Sequence, residues 1–466
     1  MNAVISDTLL ADLRAFLDPA QIASDPDSRQ YYGRDWTRLY PPEPLAVVFP
    51  GTTEQVQQLV AYANRQGLAL VPSGGRTGLS GAAVASHGEL VVSFERMNRI
   101  LAFNAIDRYV TCQPGVVTEV LQQYARAQGL FYPVDFAARG SSHIGGNIAT
   151  NAGGIKVIRY GLTRDWVMGL KVVTGKGDLL NLNKGLVKNA SGYDLRHLFI
   201  GSEGTLGFIV EATLKLTTTP RSPSVMLFGV PALDGIMAIF DACQNRLSLN
   251  AFEFFSEKAL RHVLAKNGLQ RPFETATPYY VLVEFENTSQ ETLDAALAVF
   301  EQGGEEGWLA DGVISQSESQ AAELWALRER ISESISSHTP YKNDLSVRVS
   351  QVPAFLSEVD AVLSRHYPDF EVVWFGHIGD GNLHVNVLKP PALDMDSFVG
   401  KCQTVNQLLF DAIAHYEGSI SAEHGVGLTK KPYLGYTRDA AEIAYMRAMK
   451  QVFDPNGIMN PGKIFD

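Results

Sequence analysis

The second half of the chain alternates short apolar runs with amphipathic stretches. Apolar, β-prone runs at Val225–Val230 and Tyr279–Glu286 predict strands, and apolar positions at helical spacing predict helices near 234–246, 290–302 and 396–416. This order favours an antiparallel sheet that helices cover on one face. We therefore expect an α+β domain of the cap type in this half of the chain.

Two stretches in the first half repeat one pattern. TEQVQQLVAYANRQGLALVP at 53–72 is answered by TEVLQQYARAQGLFYP at 118–133. Each predicts a helix that stops at a glycine, Gly67 or Gly129, before a strand that ends in proline. Two such α/β units would present glycine-rich or small-residue loops to one long ligand. The alternative is that helix–strand units simply tend to look alike.

Three segments of the first half are dense in glycine: PSGGRTGLSG at 72–81, HIGGNIATNAGG at 143–154 and GSEGTLGFI at 201–209. Glycine permits positive φ and close approach, so that backbone N–H groups can converge on a phosphate. The segments contain neither the GxxxxGK[ST] loop of nucleotide-triphosphate binders nor the GxGxxG of nicotinamide-binding units. They indicate a cofactor site, although 41 glycines also supply ordinary turns.

The sequence at 371–389 predicts a β-hairpin, because two apolar, β-prone runs flank the turn signal Asp380-Gly381. The turn brings His377, which precedes it, close to His384, which follows it. Asn386 lies two residues after His384 and therefore shares its face of the strand, which predicts an amide donor beside the two imidazoles.

A second short motif, AEHGVG at 422–427, supplies a carboxylate and another histidine. Because adjacent side chains do not readily bind one ion together, the natural division makes His377, His384 and Glu423 the ligands of a metal and leaves His424 as a base. Two histidines with one carboxylate are the donor set of open catalytic sites. The alternative is that each histidine only caps a strand end or bonds to the backbone, but the density of glycine around them favours a site.

Composition and charge narrow the class of protein. The 466 residues are long enough for two or three domains, and a net charge of −11 argues against nucleic acid as a partner. Three widely spaced cysteines fit a reducing compartment rather than a disulfide framework. The N-terminal MNAVISDTLLADLRAFL lacks the features of a secretion signal, and no run reaches the roughly 18 apolar residues of a membrane span. We expect a cytoplasmic protein.

The paired motifs GHIGDGNLH at 376–384 and AEHGVG at 422–427 resemble those of FAD-binding oxidoreductases of the vanillyl-alcohol oxidase fold, and among them the D-2-hydroxyacid dehydrogenases. The resemblance extends from about Tyr40 to NPGKIF at 460–465. It implies FAD in an N-terminal domain and a metal held by His377, His384 and Glu423. The metal would be zinc in the first place, or another divalent ion, and His424 would be the catalytic base. Some relatives tether the flavin through a histidine in the first glycine loop; since this loop has none, we predict noncovalent FAD.

The resemblance also assigns cofactor contacts residue by residue. Glu203, Gly204 and Ile209 would line the adenine or ring side, and Asn460 would lie near the cofactor. The pyrophosphate loop and the second FAD segment would be Pro72, Ser73, Gly74, Gly75, Arg76, Thr77, Gly78 and Gly81, with Ser141, Ser142, Gly145, Gly146, Asn147, Asn151, Ala152, Gly153 and Gly154.

Substrate contacts are predicted in LRERISESISSHTPYKNDLS, at 327–346. Arg328 and Ser332 are four apart, so that they would share one helix face, and Lys342 arrives from the extended segment that follows. The resemblance suggests that these three and Asn386 hold the substrate's carboxylates; an arginine fork with a lysine charge suits a dianion. The alternative is a charged helix surface. Ser332 replaces an expected threonine and Arg348 an expected proline, which leaves the identity of the acid open.

The proline and hydroxyl residues of TTTPRSPS at 217–224 mark the domain boundary. We predict a FAD-binding domain at 1–218, a substrate or cap domain with the metal site at 219–430, and a C-terminal helical segment at 431–466 that returns to the FAD domain.

The activity that the resemblance implies is metal-assisted oxidation of a D-2-hydroxyacid by hydride transfer to FAD. D-2-hydroxyglutarate, oxidised to 2-oxoglutarate, is the expected substrate. One alternative is that the substrate is D-lactate or glycolate. The other is that the protein is a non-catalytic flavoprotein subunit with a structural metal. The electron acceptor stays open, with an electron-transfer flavoprotein, a quinone or oxygen as the options, and contact with the inner face of a membrane is compatible with a cytoplasmic protein. The oligomeric state stays open, with a homodimer as one option.

Overall fold

The computed structural model describes residues 6–466. Its α-helices are α1 (Asp7–Leu13), α2 (Pro26–Tyr32), α3 (Thr53–Gln66), α4 (Thr118–Ala127), α5 (Ile144–Thr150), α6 (Val157–Tyr160), α7 (Thr163–Trp166), α8 (Arg196–Phe199), α9 (Leu233–Arg246), α10 (Glu257–Asn267), α11 (Gln290–Glu305), α12 (Glu318–Glu329), α13 (Ile331–Ser334), α14 (Val352–His366), α15 (Met395–His415) and α16 (Ala440–Phe453).

Its strands are β1 (Ile22–Ala23), β2 (Ala46–Val48), β3 (Leu70–Ser73), β4 (Leu90–Ser93), β5 (Ile100–Asn104), β6 (Tyr109–Cys112), β7 (Val167–Thr174), β8 (Leu179–Leu182), β9 (Gly207–Lys215), β10 (Pro223–Val230), β11 (Leu249–Ser256), β12 (Tyr279–Glu286), β13 (Asp311–Ile314), β14 (Tyr341–Ser346), β15 (Val372–His377) and β16 (Asn382–Val387).

The chain forms two compact units. The first unit consists of the described residues up to Gly153 together with Gly161–Thr219 and Glu423–Asp466. The second unit consists of Gly154–Tyr160 and Pro220–Ala422. No helix within residues 6–466 combines the length and apolar character that a membrane span requires.

The first unit contains two sheets. One has the strand order β1-β2-β4-β3, with parallel pairing of β2 and β3 to β4. The other is antiparallel, in the order β5-β6-β9-β7-β8. The apolar face of helix α3 packs in a buried cluster with residues from strands of both sheets. Ile458 and Met459, from the C-terminal segment, belong to the same buried cluster. The N–H of Leu70 bonds to the carbonyl of Ile458, so that the end of the chain is fixed beside β3.

The repeated pattern produces one complete α/β unit and one incomplete unit. In the first copy α3 ends at the left-handed Gly67 and leads into β3, as predicted. In the second copy α4 ends near Gly129, but the predicted strand is wrong: Phe131 forms only an isolated bridge to Thr217. A strand requires a neighbour along its length, and this segment has one at a single position.

The second unit is built on an antiparallel sheet in the order β13-β10-β12-β11-β15-β16-β14. Helices pack on both of its faces, so the prediction of one covered face is wrong. Ring contacts of Phe240 with Phe252 and of Phe300 with Phe228 bring α9 and α11 onto one face. Apolar residues of α10, α12 and α13 join those of the other face, such as Phe255, in a single buried cluster.

Candidate active site

A cavity in the first unit collects most of the predicted cofactor residues. It has about 950 Å³ of atom-free space, including its open mouth. The predicted residues that line it are Pro72, Gly74, Gly75, Arg76, Thr77, Gly78, Gly145, Gly146, Asn147, Glu203, Gly204 and Ile209. Further lining residues belong to the predicted glycine-rich segments without having been singled out: Ser80, His143, Ala149, Thr150, Ser202, Gly207 and Phe208. Sequence reasoning missed Ala82, Ala83, Phe94 and Pro114, which lie outside those segments.

The other predicted cofactor residues lie outside this lining. The backbone of Ser141 and Ser142 packs directly behind Gly75, where a Cβ would come within 2.0 Å of the Ser141 carbonyl oxygen. The Asn460 amide donates to the carbonyls of Ala82 and Glu203. The remaining residues are Ser73 in β3, Gly81 at positive φ, Asn151 at the C-terminus of α5, Ala152 and Gly153 after it, and Gly154, which belongs to the second unit.

The residues present fit a large polar cofactor such as FAD. Among the lining side chains, His143 Nδ1 and Ser80 Oγ are buried without a hydrogen-bond partner within residues 6–466, which is costly unless a ligand supplies one. A Cβ on Gly146 would meet nothing within 4 Å, so its backbone faces open space. Burial and the charge of Arg76 lower the pKa of His143 to about 4, so that this imidazole is neutral at physiological pH.

Helix α2 shapes the first glycine loop through Arg76. This residue has a φ of 57°, and its guanidinium carbon lies 4.3 Å from the ring centroid of Tyr31 and 4.6 Å from that of Tyr32. The aromatic faces attract the positive charge of the guanidinium, and these cation–π contacts hold the Arg76 side chain in place. The loop is therefore fixed by a helix that sequence reasoning did not connect with it.

Glu203 connects the cofactor cavity to the AEHGVG motif. Its carboxylate accepts hydrogen bonds from the N–H groups of Val426 at 2.7 Å and Gly427 at 2.9 Å. Gly425 and Gly427 have positive φ, and a Cβ on Gly427 would come within 2.2 Å of the Ser80 carbonyl oxygen. The glycines of the motif therefore allow the loop that carries His424 to close onto the cavity wall.

Ionisation of Glu203 should weaken the first unit. Burial raises the pKa of this carboxyl from 4.5 to about 7, although two N–H donors and two lysines oppose the shift. The folded state therefore holds the proton more tightly than the unfolded state, and stability is lost as pH rises from about 4.5 through about 7, by up to roughly 3 kcal/mol. Glu203→Gln keeps an acceptor oxygen and removes this titration.

We expect the Tm of the FAD-loaded wild type to fall relative to that of Glu203→Gln between about pH 5 and about pH 8, measured by thermal unfolding across the pH series. Parallel pH profiles for the two proteins would contradict the assignment of the raised pKa to Glu203.

The predicted hairpin of β15 and β16 forms in the second unit, with the residues Ile378–Asp380 in the turn. Phe375 pairs with His384, and His377 pairs with Asn382, so that both histidines project from the same face of the sheet. Their ring centroids are 5.3 Å apart and the rings are almost perpendicular. A slip of one residue in this pairing would place the two imidazoles on opposite faces of the sheet.

Each of these histidines faces a buried carboxylate that sequence reasoning missed. The Nδ1 of His377 lies 2.8 Å and 2.9 Å from the two carboxylate oxygens of Glu253 in β11. The Nδ1 of His384 lies 3.5 Å from Asp344 in β14, which is fully buried. Since carboxylates accept hydrogen bonds, this arrangement favours a proton on Nδ1 and a lone pair on Nε2. Such second carboxylates are typical of metal-ligating histidines, so the donor set fits a metal.

Two of the predicted substrate residues lie on this face, on neighbouring strands. Asn386 follows His384 on β16, and Lys342 lies opposite Asn386 on β14. Burial lowers the pKa of the Lys342 ammonium, and Asn386 Nδ2 is buried without a partner within residues 6–466. An unsatisfied amide donor beside a partly desolvated ammonium is a suitable place for an anionic oxygen of a ligand.

Arg328 and Ser332 do not share one continuous helix, so that part of the prediction is wrong. Helix α12 ends at Glu329, and Arg330 separates it from the short α13 that contains Ser332. Arg328 is only 5% exposed, and its guanidinium carbon lies 4.8 Å from the ring centroid of Phe375. One of its Nη atoms forms an ion pair of 2.7 Å with a carboxylate oxygen of Glu253, although the alignment is not that of a hydrogen bond. Its Nε is buried without a partner in the described part of the chain. Ser332 is half-buried.

Glu423 and His424 begin the segment that belongs to the first unit. The N–H of Ala422, the last residue of the second unit, bonds to the carbonyl of Asp344. Glu423 is covalently attached to this anchored residue. A Cβ on Gly153 would come within 2.5 Å of its carboxylate oxygen, so the Glu423 side chain packs directly against this glycine of the first unit.

Comparison with known proteins places the chain in a family. Residues 219–464 match the family described as FAD linked oxidases, C-terminal domain, and residues 44–183 match the FAD binding domain. The D-2-hydroxyglutarate dehydrogenase of Stutzerimonas stutzeri (strain A1501) is 62% identical over 457 residues, which cover 98% of each chain. That of Xanthomonas citri pv. viticola is 57% identical over 462 residues, 99% of this chain and 98% of the relative.

The fold has a counterpart among solved structures. The crystal structure of p-cresol methylhydroxylase with substrate bound aligns with a TM-score of 0.76 at 16% identity, covering 98% of this chain and 96% of that one. At this identity the likeness concerns the fold alone, and it confirms the predicted vanillyl-alcohol oxidase fold. With both family domains present, the chain belongs to the FAD-linked oxidases and is an FAD-dependent oxidoreductase.

Proposed function

We propose that the chain oxidises D-2-hydroxyacids, D-2-hydroxyglutarate in the first place, to 2-oxoacids such as 2-oxoglutarate. The two bacterial relatives carry the name of this activity over nearly their full length. The observation that carries the proposal is the sheet face on which Arg328, Lys342 and Asn386 accompany the paired imidazoles of His377 and His384. This face combines groups for binding an anion with groups for binding a metal.

FAD, when bound, accepts the electrons and the hydrogen of the substrate's α-carbon as a two-electron acceptor. The residues that would hold it are the glycine loops at 72–81, 143–154 and 201–209. We propose noncovalent binding, because the first of these loops offers no histidine for a tether.

We propose that His377, His384 and Glu423 hold a divalent metal, with zinc as first choice. The Nδ1 of His377 is hydrogen-bonded to Glu253 and that of His384 faces Asp344 at 3.5 Å, and metal-binding histidines usually have such carboxylate partners. Glu423 follows Ala422, whose N–H is bonded to Asp344, the residue paired with His384. A metal of this kind supplies Lewis acidity to a coordinated hydroxyl oxygen.

We propose His424 as the base that accepts the proton of the substrate's hydroxyl group. A neutral imidazole is suited to this role near physiological pH. The loop that carries it is fixed by the hydrogen bonds of Val426 and Gly427 to Glu203 and by glycines at positive φ, so that the backbone on which the imidazole is mounted is held in place. Such fixed placement reduces the entropy that must be lost before the proton moves.

A dicarboxylate suits the anion-binding groups best. Arg328 presents a planar fork that Phe375 and Glu253 hold from two sides, and Lys342 adds a compact charge. We propose that Arg328, Ser332, Lys342 and Asn386 bind the carboxylates of the substrate. A monocarboxylate would leave part of this buried donor set without a partner, which costs binding free energy.

We propose an electron-transfer flavoprotein or a quinone as the partner that would take up the electrons from bound, reduced FAD. A cytoplasmic location, with contact at the inner membrane face when a quinone is the acceptor, fits both. A homodimer is our proposal for the assembly.

The test is anaerobic bleaching of the FAD-loaded protein by a panel of acids. We expect D-2-hydroxyglutarate to bleach the flavin faster than D-lactate or glycolate, and L-2-hydroxyglutarate to leave it oxidised. Faster bleaching by a monocarboxylate would replace the substrate with D-lactate or glycolate. A flavin that no acid reduces would indicate a non-catalytic subunit and contradict the proposal.

A further inference from the structure

Glu253 is a buried carboxylate that lies among phenylalanines in β11. It lies in β11 between Phe252 and Phe254 and is 1% exposed. A buried charge in a sheet is costly unless it is paired and hydrogen-bonded. Its partners therefore indicate why the position is not apolar like its neighbours.

Both partners of Glu253 belong to the proposed site. The carboxylate lies 2.8–2.9 Å from His377 Nδ1 and 2.7 Å from an Nη of Arg328. Register explains the first contact: Phe254 pairs with Gly376 and Phe255 with Phe375, which sets Glu253 opposite His377 on the same face. One carboxylate thus contacts a proposed metal ligand and a proposed substrate-binding cation.

We infer that Glu253 is a positioning residue that couples the two halves of the site; the inference rests on the proposed function. Toward His377 it accepts the Nδ1–H hydrogen bond, which fixes the ring orientation and directs the Nε2 lone pair to the metal. Toward Arg328 it supplies the counter-charge of a guanidinium that is stacked on Phe375. The guanidinium is thereby held in one orientation before the substrate arrives, which reduces the ordering that binding requires.

The chain offers a matched control in Glu284 on the neighbouring strand β12. Glu284 is also buried, and it also joins a cation to a ring N–H: Lys156 at 2.5 Å and Trp325 Nε1 at 2.8 Å. Glu284 pairs with Ala251 on β11, and Ala251 lies two residues before Glu253. Paired residues share a face, as do residues two apart on a strand, so Glu284 and Glu253 lie on the same face of the sheet. Neither of its partners is a proposed ligand or substrate contact. Glu284→Gln therefore reports the effect of losing a buried carboxylate as such.

The experiment compares wild type, Glu253→Gln, Glu253→Ala and Glu284→Gln as FAD-loaded proteins. The Kd for Zn²⁺ is measured by competition with a chelator, and KM and kcat are measured with D-2-hydroxyglutarate. We expect Glu253→Gln to bind Zn²⁺ within about twofold of wild type, because its amide oxygen still accepts from His377, but to raise KM several-fold, because the counter-charge of Arg328 is lost. We expect Glu253→Ala to weaken Zn²⁺ binding roughly 10- to 100-fold as well.

Glu284→Gln should leave both the Kd and KM at wild-type values. Because alanine leaves Arg328 buried without a counter-charge and can unfold the unit, Glu253→Gln also decides the question alone. A KM of wild-type size in Glu253→Gln would overturn the inference, as would a Zn²⁺ affinity in folded Glu253→Ala equal to that of Glu284→Gln. Failure of the proposed function is separate, since wild type would then bind no Zn²⁺ or show no turnover of D-2-hydroxyglutarate.

Discussion

His424→Ala should lower turnover of D-2-hydroxyglutarate by about two to four orders of magnitude while FAD stays bound. The variant removes the proposed base without touching the backbone contacts of Val426 and Gly427 with Glu203, so that the loop and the cofactor cavity keep their structure. Steady-state kinetics gives the loss, and the visible spectrum of the purified protein gives the FAD content.

The control for this variant is His87→Ala, because the His87 side chain is 82% exposed in the first unit. It should keep wild-type turnover. Near-normal turnover in His424→Ala would contradict its assignment as the base, and loss of FAD from that variant would show that the residue has a structural role instead.

His377→Ala and His384→Ala should each lose the metal, and turnover should fall by more than about a hundredfold as a result. Each substitution removes one of three proposed ligands and leaves its buried carboxylate partner, Glu253 or Asp344, without its imidazole. Metal content after dialysis, measured by elemental analysis beside kcat, provides the test.

The exposed His366, at the end of α14, is the control for the second unit; His366→Ala should retain both metal and turnover. Variants of His377 and His384 that keep a full equivalent of metal would refute the ligand assignment. Variants that lose the metal but keep turnover would refute the role of the metal in the reaction.

The hairpin was predictable because local signals agree with the fold. Asp380-Gly381 marks the turn, and Gly381 has a φ of 84°. The strand patterns before and after this turn fix the pairing register, which brings His377 and His384 together. The glycine loops were predictable for a similar reason, since close approach requires glycine at positions such as Gly75, where a Cβ would clash with backbone.

The partners of these residues were not predictable from local patterns. Glu253 meets His377 through pairing of strands 124 residues apart in sequence. One signal was present: a single carboxylate within the apolar run AFEFFS indicates a buried charge that needs a partner. The sequence does not tell which partner, because that depends on strand order in the sheet.

The prediction that Arg328 and Ser332 share one helix face failed because helical spacing does not reveal where a helix ends. Arg328 and Ser332 are four apart, but the helix is interrupted at Arg330 and resumes in a short second helix. We predicted helices on only one face of the sheet in the second unit. Phe252 contacts a helix on one face of this sheet, and Phe255 lies in a buried cluster with helices on the other face. Runs of apolar residues on β11 that lack strict alternation were the available signal for a sheet covered on both sides.

Removal of the metal tests the central claim most directly. The FAD-loaded protein is stripped with a chelator, mixed anaerobically with D-2-hydroxyglutarate, and then supplied again with Zn²⁺, while flavin absorbance and thermal unfolding are followed. We expect the stripped protein to stay folded with oxidised flavin and to bleach once Zn²⁺ is restored. Bleaching at an unchanged rate without metal, or unfolding on its removal, would contradict a metal-assisted reaction at this site.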